Sequence, residues 1–465
     1  MVTFLRKIMQ EVIILHKLHK GKTITPQKIG IVGTGIAGMS AAWLLSKNHT
    51  VTIFEKDDRI GGHSNTVDVN GLGVDTGFIV YNEKNYPNLI ALFDHLGVAT
   101  QSTNMSFGVS IDQGDFEYSG GDLPGLFAQK LNLLRPRFWR MIKDILRFYR
   151  EAPLALNDDS NQNVTLGEYL SKHGYSKIFQ RDHLLPMGAA IWSAPVDTML
   201  EYPLSSFLRF CENHGLLQIS NRPKWRTVVG GSKEYIKCLV KDYNHKIKIN
   251  RAVKQVWSDA NGAYVEDSND NVFSFDQVVM ASHADQALNM LKSPSADEIG
   301  LLGTFSYQVN EAILHTDPSL MPKNKGAWSS WNYLSAQANG QDSVCVTYWM
   351  NKLQNLNSGT DYFVTLNPPK LPKDDSILRN FTYQHPLFDR HTMAAQKKLW
   401  DLQGKQRLWF CGSYFGHGFH EDGLQSGLAV AEELGGEKRP WSVKNESGRI
   451  HLPKDWPINN TKEAA

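Results

Sequence analysis

Short apolar runs alternate with helix-period stretches along most of the chain, and the alternation begins sharply after Pro26. Lys28-Ile-Gly-Ile-Val32 is a compact apolar run, Gly33 to Gly38 is a tight break, and Met39 to Leu45 has helical periodicity. Val51-Thr-Ile-Phe-Glu55 follows at once, so the opening predicts strand, glycine turn, helix and strand. Residues 106 to 221 change character: the amphipathic stretches Leu131 to Tyr149 and Val164 to Leu185 predict a mainly helical insertion, a cap. Strand-like patterning resumes from Trp225, through the turn Gly230-Gly231-Ser232, the segment Lys246 to Val256 with Ile247 and Ile249 alternating, and the run Gln277 to Ala281. A second excursion, Pro294 to Gln403, carries aromatic strand-like pieces at Trp328–Tyr333, Val344–Trp349 and Phe363–Leu366. A last short strand, Arg407 to Cys411, and a helical run, Leu424 to Leu434, close the pattern, and past Gly436 the chain reads as a soft polar tail.

The first 27 residues stand apart. Phe4, Leu5, Ile8, Met9, Val12 and Ile13 recur at helical spacing among Arg6, Lys7, Lys17 and Lys20, which describes either a frayed extension or a basic interfacial helix. The longest apolar run there, Val12 to Leu15, is too short to span a bilayer. Composition narrows the classes further. With 41% hydrophobic and 21% charged residues the 465-residue chain resembles a globular enzyme of two connected domains. Lysine and arginine exceed aspartate and glutamate by 49 to 47, without a basic stripe, so nucleic acid is not an expected partner. Cys211, Cys238, Cys345 and Cys411 are scattered and predict reduced, buried thiols in a cytoplasmic protein. No metal is expected, since no histidine spacing resembles a ligand motif.

The glycine turn carries the chemistry. In Gly33-Thr-Gly35-Ile36-Ala37-Gly38 the first glycine permits the tight turn, the second lets backbone approach a pyrophosphate, and the third lets the helix pack on the strand. Free N–H groups at the helix start favour the anion without a lysine. Glu55, 20 residues beyond Gly35, is spaced to accept ribose hydroxyls and disfavours a 2′-phosphate. Beyond Lys56 stands Arg59-Ile-Gly61-Gly62-His63, an extension a plain NAD-dependent dehydrogenase does not need.

That extension resembles the two-dinucleotide-binding flavoproteins, and specifically the flavin-containing amine oxidase superfamily that includes protoporphyrinogen oxidase and phytoene desaturase. The resemblance continues in order through residues 28 to 436. Val74-Asp75-Thr76-Gly77-Phe78 is similar to the segment that brings backbone against the isoalloxazine, Gly230-Gly231-Ser232 to the turn re-entering the FAD domain, and Val253 to the residue that meets adenine. Phe410-Cys-Gly412 and Gly423-Leu424-Gln-Ser-Gly427 resemble the closing flavin motif, whose helix points its N-terminus at the flavin pyrimidine. Within the superfamily, Asp75 to Asn82, Ala327 to Tyr333, Thr347 to Asn351 and Gly416 to Gly423 are similar to bacterial predicted NAD/FAD-binding, amine-oxidase-like proteins. Relatives of that subgroup are associated with cyclopropane fatty acid synthases, which implies lipid chemistry by association.

The resemblance implies an α/β fold. Its Rossmann-like FAD-binding domain comprises residues 28–105, 222–293 and 404–436, and the inserted α+β substrate domain comprises residues 106–221 and 294–403. Residues 1–27 form the N-terminal extension and 437–465 the tail. Two departures from the family pattern stand out. Ser413 takes the place of an acid that binds the ribityl chain, so that contact is expected to be weaker or to be supplied elsewhere, by Glu421 or Asp422, and His63 replaces an arginine. Cys411 is not at the position of a flavin-linking cysteine, so the FAD is expected to be noncovalent. Among His63, His283, His385, His417 and His420, the last, with Glu421, is the candidate for the active site, against a loop-capping role at the same spot. Trp331, Tyr333, Tyr348 and Trp349 are candidates for the cavity wall, against a place in the core. The expected function is hydride abstraction from a lipid or other apolar substrate. A methyltransferase of the cyclopropane synthase type is the expected partner, and contact is with the inner face of a membrane. The alternatives are an amine oxidase proper, or a redox-neutral flavin isomerase or partner subunit.

Overall fold

A computed structural model describes residues 25–161, 163–192, 197–218, 222–338, 341–453 and 456. The expected interfacial helix within residues 1–20 lies outside the described residues.

A five-stranded parallel sheet forms the centre, in the order Ile247–Lys248, Thr50–Phe54, Lys28–Val32, Gln277–Met280 and Leu408–Phe410. By position in the chain this order is 3-2-1-4-5, so the topology reverses beside Lys28–Val32, where an open α/β sheet binds its ligand. The helix Ile36–Leu45 has all ten residues buried, because the sheet covers one side and the closing helix His420–Glu433 the other. Small residues permit that approach: a Cβ on Gly427 would collide with the Ala37 carbonyl oxygen and the Ser40 hydroxyl.

A seven-stranded sheet lies beyond, in the order Ile377–Pro386, Tyr307–His315, Phe363–Leu366, Gln341–Trp349, Trp331–Ala338, Phe107–Ile111 and Phe116–Ser119. The two excursions are thus joined within one sheet, through the parallel pairing of Trp331–Leu334 with Phe107–Ser110. The first excursion begins with a β-hairpin, and the rest of the predicted insertion, residues 106–221, is mainly helical as expected. Helical period did not reveal the hairpin, although Phe107, Val109 and Ile111 alternate with the small residues Gly108 and Ser110 at strand period. Its long helix is Pro136–Leu156, and the run expected over Val164–Leu185 breaks into Leu166–Lys172, Lys177–Phe179, Gln180–Leu184 and Leu185–Trp192.

The segment after Gly436 is no soft tail in its described part. Arg439 is buried, bonds both carboxylate oxygens of Glu432 at 2.8 and 2.9 Å, and donates to Asn88 Oδ1 at 3.0 Å. Trp441 stacks on Trp43 with ring centroids 5.8 Å apart. Arg449 grips the fully buried Asp422 through Nε at 2.6 Å and Nη2 at 3.0 Å. A polar segment is held here by paired charge, which hydrophobic patterning does not register.

Candidate active site

One cavity of about 890 Å³ runs from the carboxyl ends of Lys28–Val32 and Thr50–Phe54 to the aromatic side chains of the two excursions. That size is near the top of the ~300–1,000 Å³ range for small-molecule sites.

Its first end is a glycine cradle. Gly33 adopts φ of +107° and donates its N–H to the Phe54 carbonyl at 2.9 Å, turning the chain off the strand. A Cβ placed on Gly35 meets nothing within 4 Å, so its backbone stands open to the cavity. Gly38 lies behind, where a Cβ would collide with the Gly33 carbonyl oxygen, so it serves packing and does not line the site. Glu55 accepts from the Thr34 N–H at 3.1 Å and the Thr34 hydroxyl through Oε2, and from the Asp57 N–H at 3.0 Å through Oε1. Gly61, at φ of +111°, donates to the Thr34 carbonyl at 3.1 Å, bringing the glycine pair against the first turn. A Cβ on Gly62 would come within 3.1 Å of Gly35 Cα.

Ile36, Ala37, Lys56, Arg59, His63, Gly77, Phe78, Val253, Gly412, Ser413 and Gly423 all face the same cavity. Thr76 and Leu424 do not. Thr76 is buried, and its hydroxyl hydrogen-bonds the Tyr383 hydroxyl at 2.7 Å, tying the seven-stranded sheet to the turn before Gly77. Leu424 is a core residue of the closing helix.

His420, the first residue of that helix, lines the cavity. Its ring lies flat on Phe78, centroids 3.9 Å apart at 10°, and its Nε2 shares a hydrogen bond of 2.8 Å with the Tyr235 hydroxyl. Tyr235 in turn bonds Ser64 Oγ at 2.5 Å. Burial, with His63 nearby, pulls the His420 pKa down to about 3, so the imidazole is neutral. Its Nδ1 has no hydrogen-bond partner among the described residues.

Glu421 does not belong to the site. Its buried carboxylate accepts from the Asn88 N–H at 3.1 Å, the Leu89 N–H at 3.0 Å, the Asn88 amide at 2.8 Å and the Gln425 amide at 2.9 Å. It therefore caps the helix Pro87–Leu96 and faces away from the cavity. Asp422 is likewise committed, to Arg449 and to the Phe419 N–H at 2.7 Å, so neither acid stands in for the one absent at Ser413. Chain position next to His420 suggested otherwise, but successive residues on a helix point about 100° apart.

Several lining residues carry no sequence signature. His385 and Tyr383 come from Ile377–Pro386, and His283 follows Gln277–Met280; with His63 they form a cluster in which the His63 ring lies 5.4 Å from His385 and 6.2 Å from His283. Burial above all holds His63 and His283 near pKa 4 and His385 near 3. No group of acids, histidines and cysteines arranged to hold a metal occurs among the described residues. At the far end Trp331 and Tyr348 face the cavity, as do Trp192, Phe210 and Phe419. Tyr333 and Trp349 do not: Trp349 points to the other face of its strand and donates to Asp361 at 2.8 Å. No cysteine lines the cavity; Cys411 is buried behind it.

The residues present fit a dinucleotide. Backbone lies open at Gly35, and the buried Arg59 Nη1 donor and the buried ring nitrogen His63 Nε2 have no partner among the described residues, a combination suited to an anionic diphosphate. Lys56 and Arg251 add cationic charge at that end. Fold and cradle together define a dinucleotide-binding protein of the doubly wound α/β class. The model of the flavin containing amine oxidoreductases matches residues 36–352, more than half of the chain, and the protein belongs to that family. A putative flavin-containing monoamine oxidase of Mycobacterium tuberculosis is 27% identical over 251 residues, covering 52% of this chain and 53% of that protein. The chain spans about half the length of the curated relatives it matches. Among solved structures, cyclohexylamine oxidase from Brevibacterium oxydans shares the fold with a TM-score of 0.64 at 14% identity, covering 88% of this chain and 100% of that one. A fatty acid isomerase from P. acnes does so at 0.62 and 13%, covering 88% and 98%.

Proposed function

We propose that this protein is an FAD-dependent oxidoreductase that removes a hydride from an apolar, acyl-chain-like substrate. The glycine cradle, Glu55, Arg59 and the N-terminus of the closing helix would hold FAD, which would supply the two-electron acceptor.

One observation carries the substrate class. The only carboxylates lining the cavity among the described residues, Glu55 and Asp57, sit at the cradle end, and the aromatic end holds none. A protonated amine entering between Trp192, Phe210, Trp331 and Tyr348 would lose its hydration without gaining a counter-charge. An acyl chain loses nothing there and gains contact with the rings. Walls of this kind also exclude water, which protects a hydride transfer. Bound FAD would accept the hydride of one carbon–hydrogen bond and would return the electron pair to dioxygen or another two-electron acceptor, while the neighbouring carbon gives up a proton and a double bond forms between the two carbons. With Nε2 donating to the Tyr235 hydroxyl, His420 keeps a lone pair on Nδ1 that receives that proton transiently and, with its pKa near 3, passes it on to solvent. A methyltransferase of the cyclopropane synthase type is the partner this reading proposes as the source of a branched or cyclopropane chain.

A redox-neutral isomerase is the second reading, favoured by the shared fold of the fatty acid isomerase. Anaerobic mixing of the flavin-loaded protein with phospholipids bearing methyl-branched or cyclopropane chains separates the readings. The proposal expects the flavin absorbance to bleach with these lipids while polyamines and aryl amines leave it unchanged. Bleaching by amines alone makes the protein an amine oxidase, and lipid turnover without consumption of an acceptor makes it an isomerase.

A further inference from the structure

The outer surface of the first excursion differs from the rest of the molecule. Of thirteen large hydrophobic side chains exposed among the described residues, seven lie between Leu123 and Leu154, so exposed apolar surface is concentrated on one stretch of chain. The turn Lys130–Leu134 presents Leu131 and Leu134 at 65% and 82% exposure. Trp139 adjoins that turn, its indole N–H donating to the Leu133 carbonyl at 2.9 Å.

The helix Pro136–Leu156 continues the surface. It buries Phe138, Met141, Ile145 and Phe148, and its outward stripe reads Trp139, Lys143, Leu146 and Arg150 with Arg140 alongside, all exposed. The neighbouring acids are committed elsewhere. Asp144 is buried and accepts from the Ser176 N–H at 3.1 Å, and Glu151 is bonded by Arg147 and Tyr175. Asp115, Asp112 and Asp182 are held by Arg135 and Arg137. Lys130, Arg140 and Lys143 make no ion pair among the described residues. Exposed leucine and tryptophan interleaved with free cations, without a free acid among them, is the chemistry of an interfacial helix.

We propose that this face, Leu131 to Arg150, docks the protein on an anionic lipid surface, with Leu131, Leu134 and Trp139 entering the headgroup boundary and Lys130, Arg140 and Lys143 engaging the lipid phosphates. A second copy of the chain is a poor occupant, since a symmetric contact sets cation against cation. The substrate reading above is not required: docking concerns the outer surface, and no helix of the described residues is long and apolar enough to cross a membrane.

Cosedimentation of the full-length, flavin-loaded protein with vesicles tests this. Binding is expected to equimolar phosphatidylcholine and phosphatidylglycerol, to weaken as salt rises, and to be weak on phosphatidylcholine alone. Leu131→Ser/Leu134→Ser should lower partitioning by about tenfold or more, and Arg140→Glu/Lys143→Glu should remove the preference for anionic vesicles. Both variants should keep flavin content and oligomeric state, because all four side chains are exposed. The proposal is overturned if the full chain ignores anionic vesicles, or if both variants bind as wild type while removal of residues 1–24 abolishes binding. It is equally overturned if the variants alter oligomeric state and leave vesicle binding intact.

Discussion

Gly35 is the position where one carbon atom decides the site. Because nothing lies within 4 Å of a Cβ there, Gly35→Val should fold normally while its side chain projects into the space the diphosphate needs. Flavin content is expected to fall below about a tenth of wild type with little change in thermal stability; full flavin content would refute the cradle. The buried histidines set a pH dependence. His63, His283, His385 and His420 have folded pKa values near 3 to 4, below the ordinary 6.5, so between those values the unfolded chain binds protons that the folded one refuses. Their contribution is complete above pH 6.5 and is lost as the pH falls towards 4 for His63 and His283 and towards 3 for His385 and His420, at roughly 3 to 5 kcal/mol per ring as an upper bound. Thermal unfolding of the apoprotein should drop steeply across that window, and His63→Asn/His385→Gln should flatten the slope; a slope unchanged in the double variant would contradict it. The glycines were legible in the sequence because a tight turn and a close backbone approach are local demands. His283 and His385 were legible only as isolated histidines, since a strand of one sheet and the end of another bring them together.

At the scale of elements, the closing helix His420–Glu433 shows how one turn divides its labour. His420 faces the cavity, Glu421 caps Pro87–Leu96, and Asp422 anchors the C-terminal segment through Arg449. Arg449→Ala leaves Asp422 charged and fully buried without its partner, a loss of about 3–5 kcal/mol. Urea unfolding should register it as a lower midpoint with an unchanged slope. Glu421→Gln keeps shape and some acceptance, so any effect should appear in stability and not in the rate of flavin reduction; a selective loss of rate would return Glu421 to the chemistry. His420→Phe should do the reverse, slowing anaerobic reduction while flavin content and stability hold. Helical and strand period made the positions of most elements readable. They did not reveal which face of a helix meets the cavity, nor that polar residues 437–453 are pinned by Arg439 and Arg449.

For the whole molecule, the order of motifs was legible and their convergence was not. Lys28–Val32, Gln277–Met280 and Leu408–Phe410 are separated by hundreds of residues and lie side by side in one sheet, which only the succession of apolar strands and glycine turns foreshadowed. The pairing of Phe107–Ser110 with Trp331–Leu334 had no sequence signal, because a long-range parallel contact leaves no local pattern. This assembly places the cradle at the switch point and the aromatic walls beyond it, so the account rests on one cofactor filling the first half of one cavity. The direct measurement is the flavin content of the purified full-length protein. The account predicts a yellow protein absorbing near ~450 nm with FAD at one per chain, released intact into the supernatant by acid or heat because no cysteine faces the cavity. A colourless protein that takes up no added FAD, or a flavin that stays with the denatured chain, would contradict it.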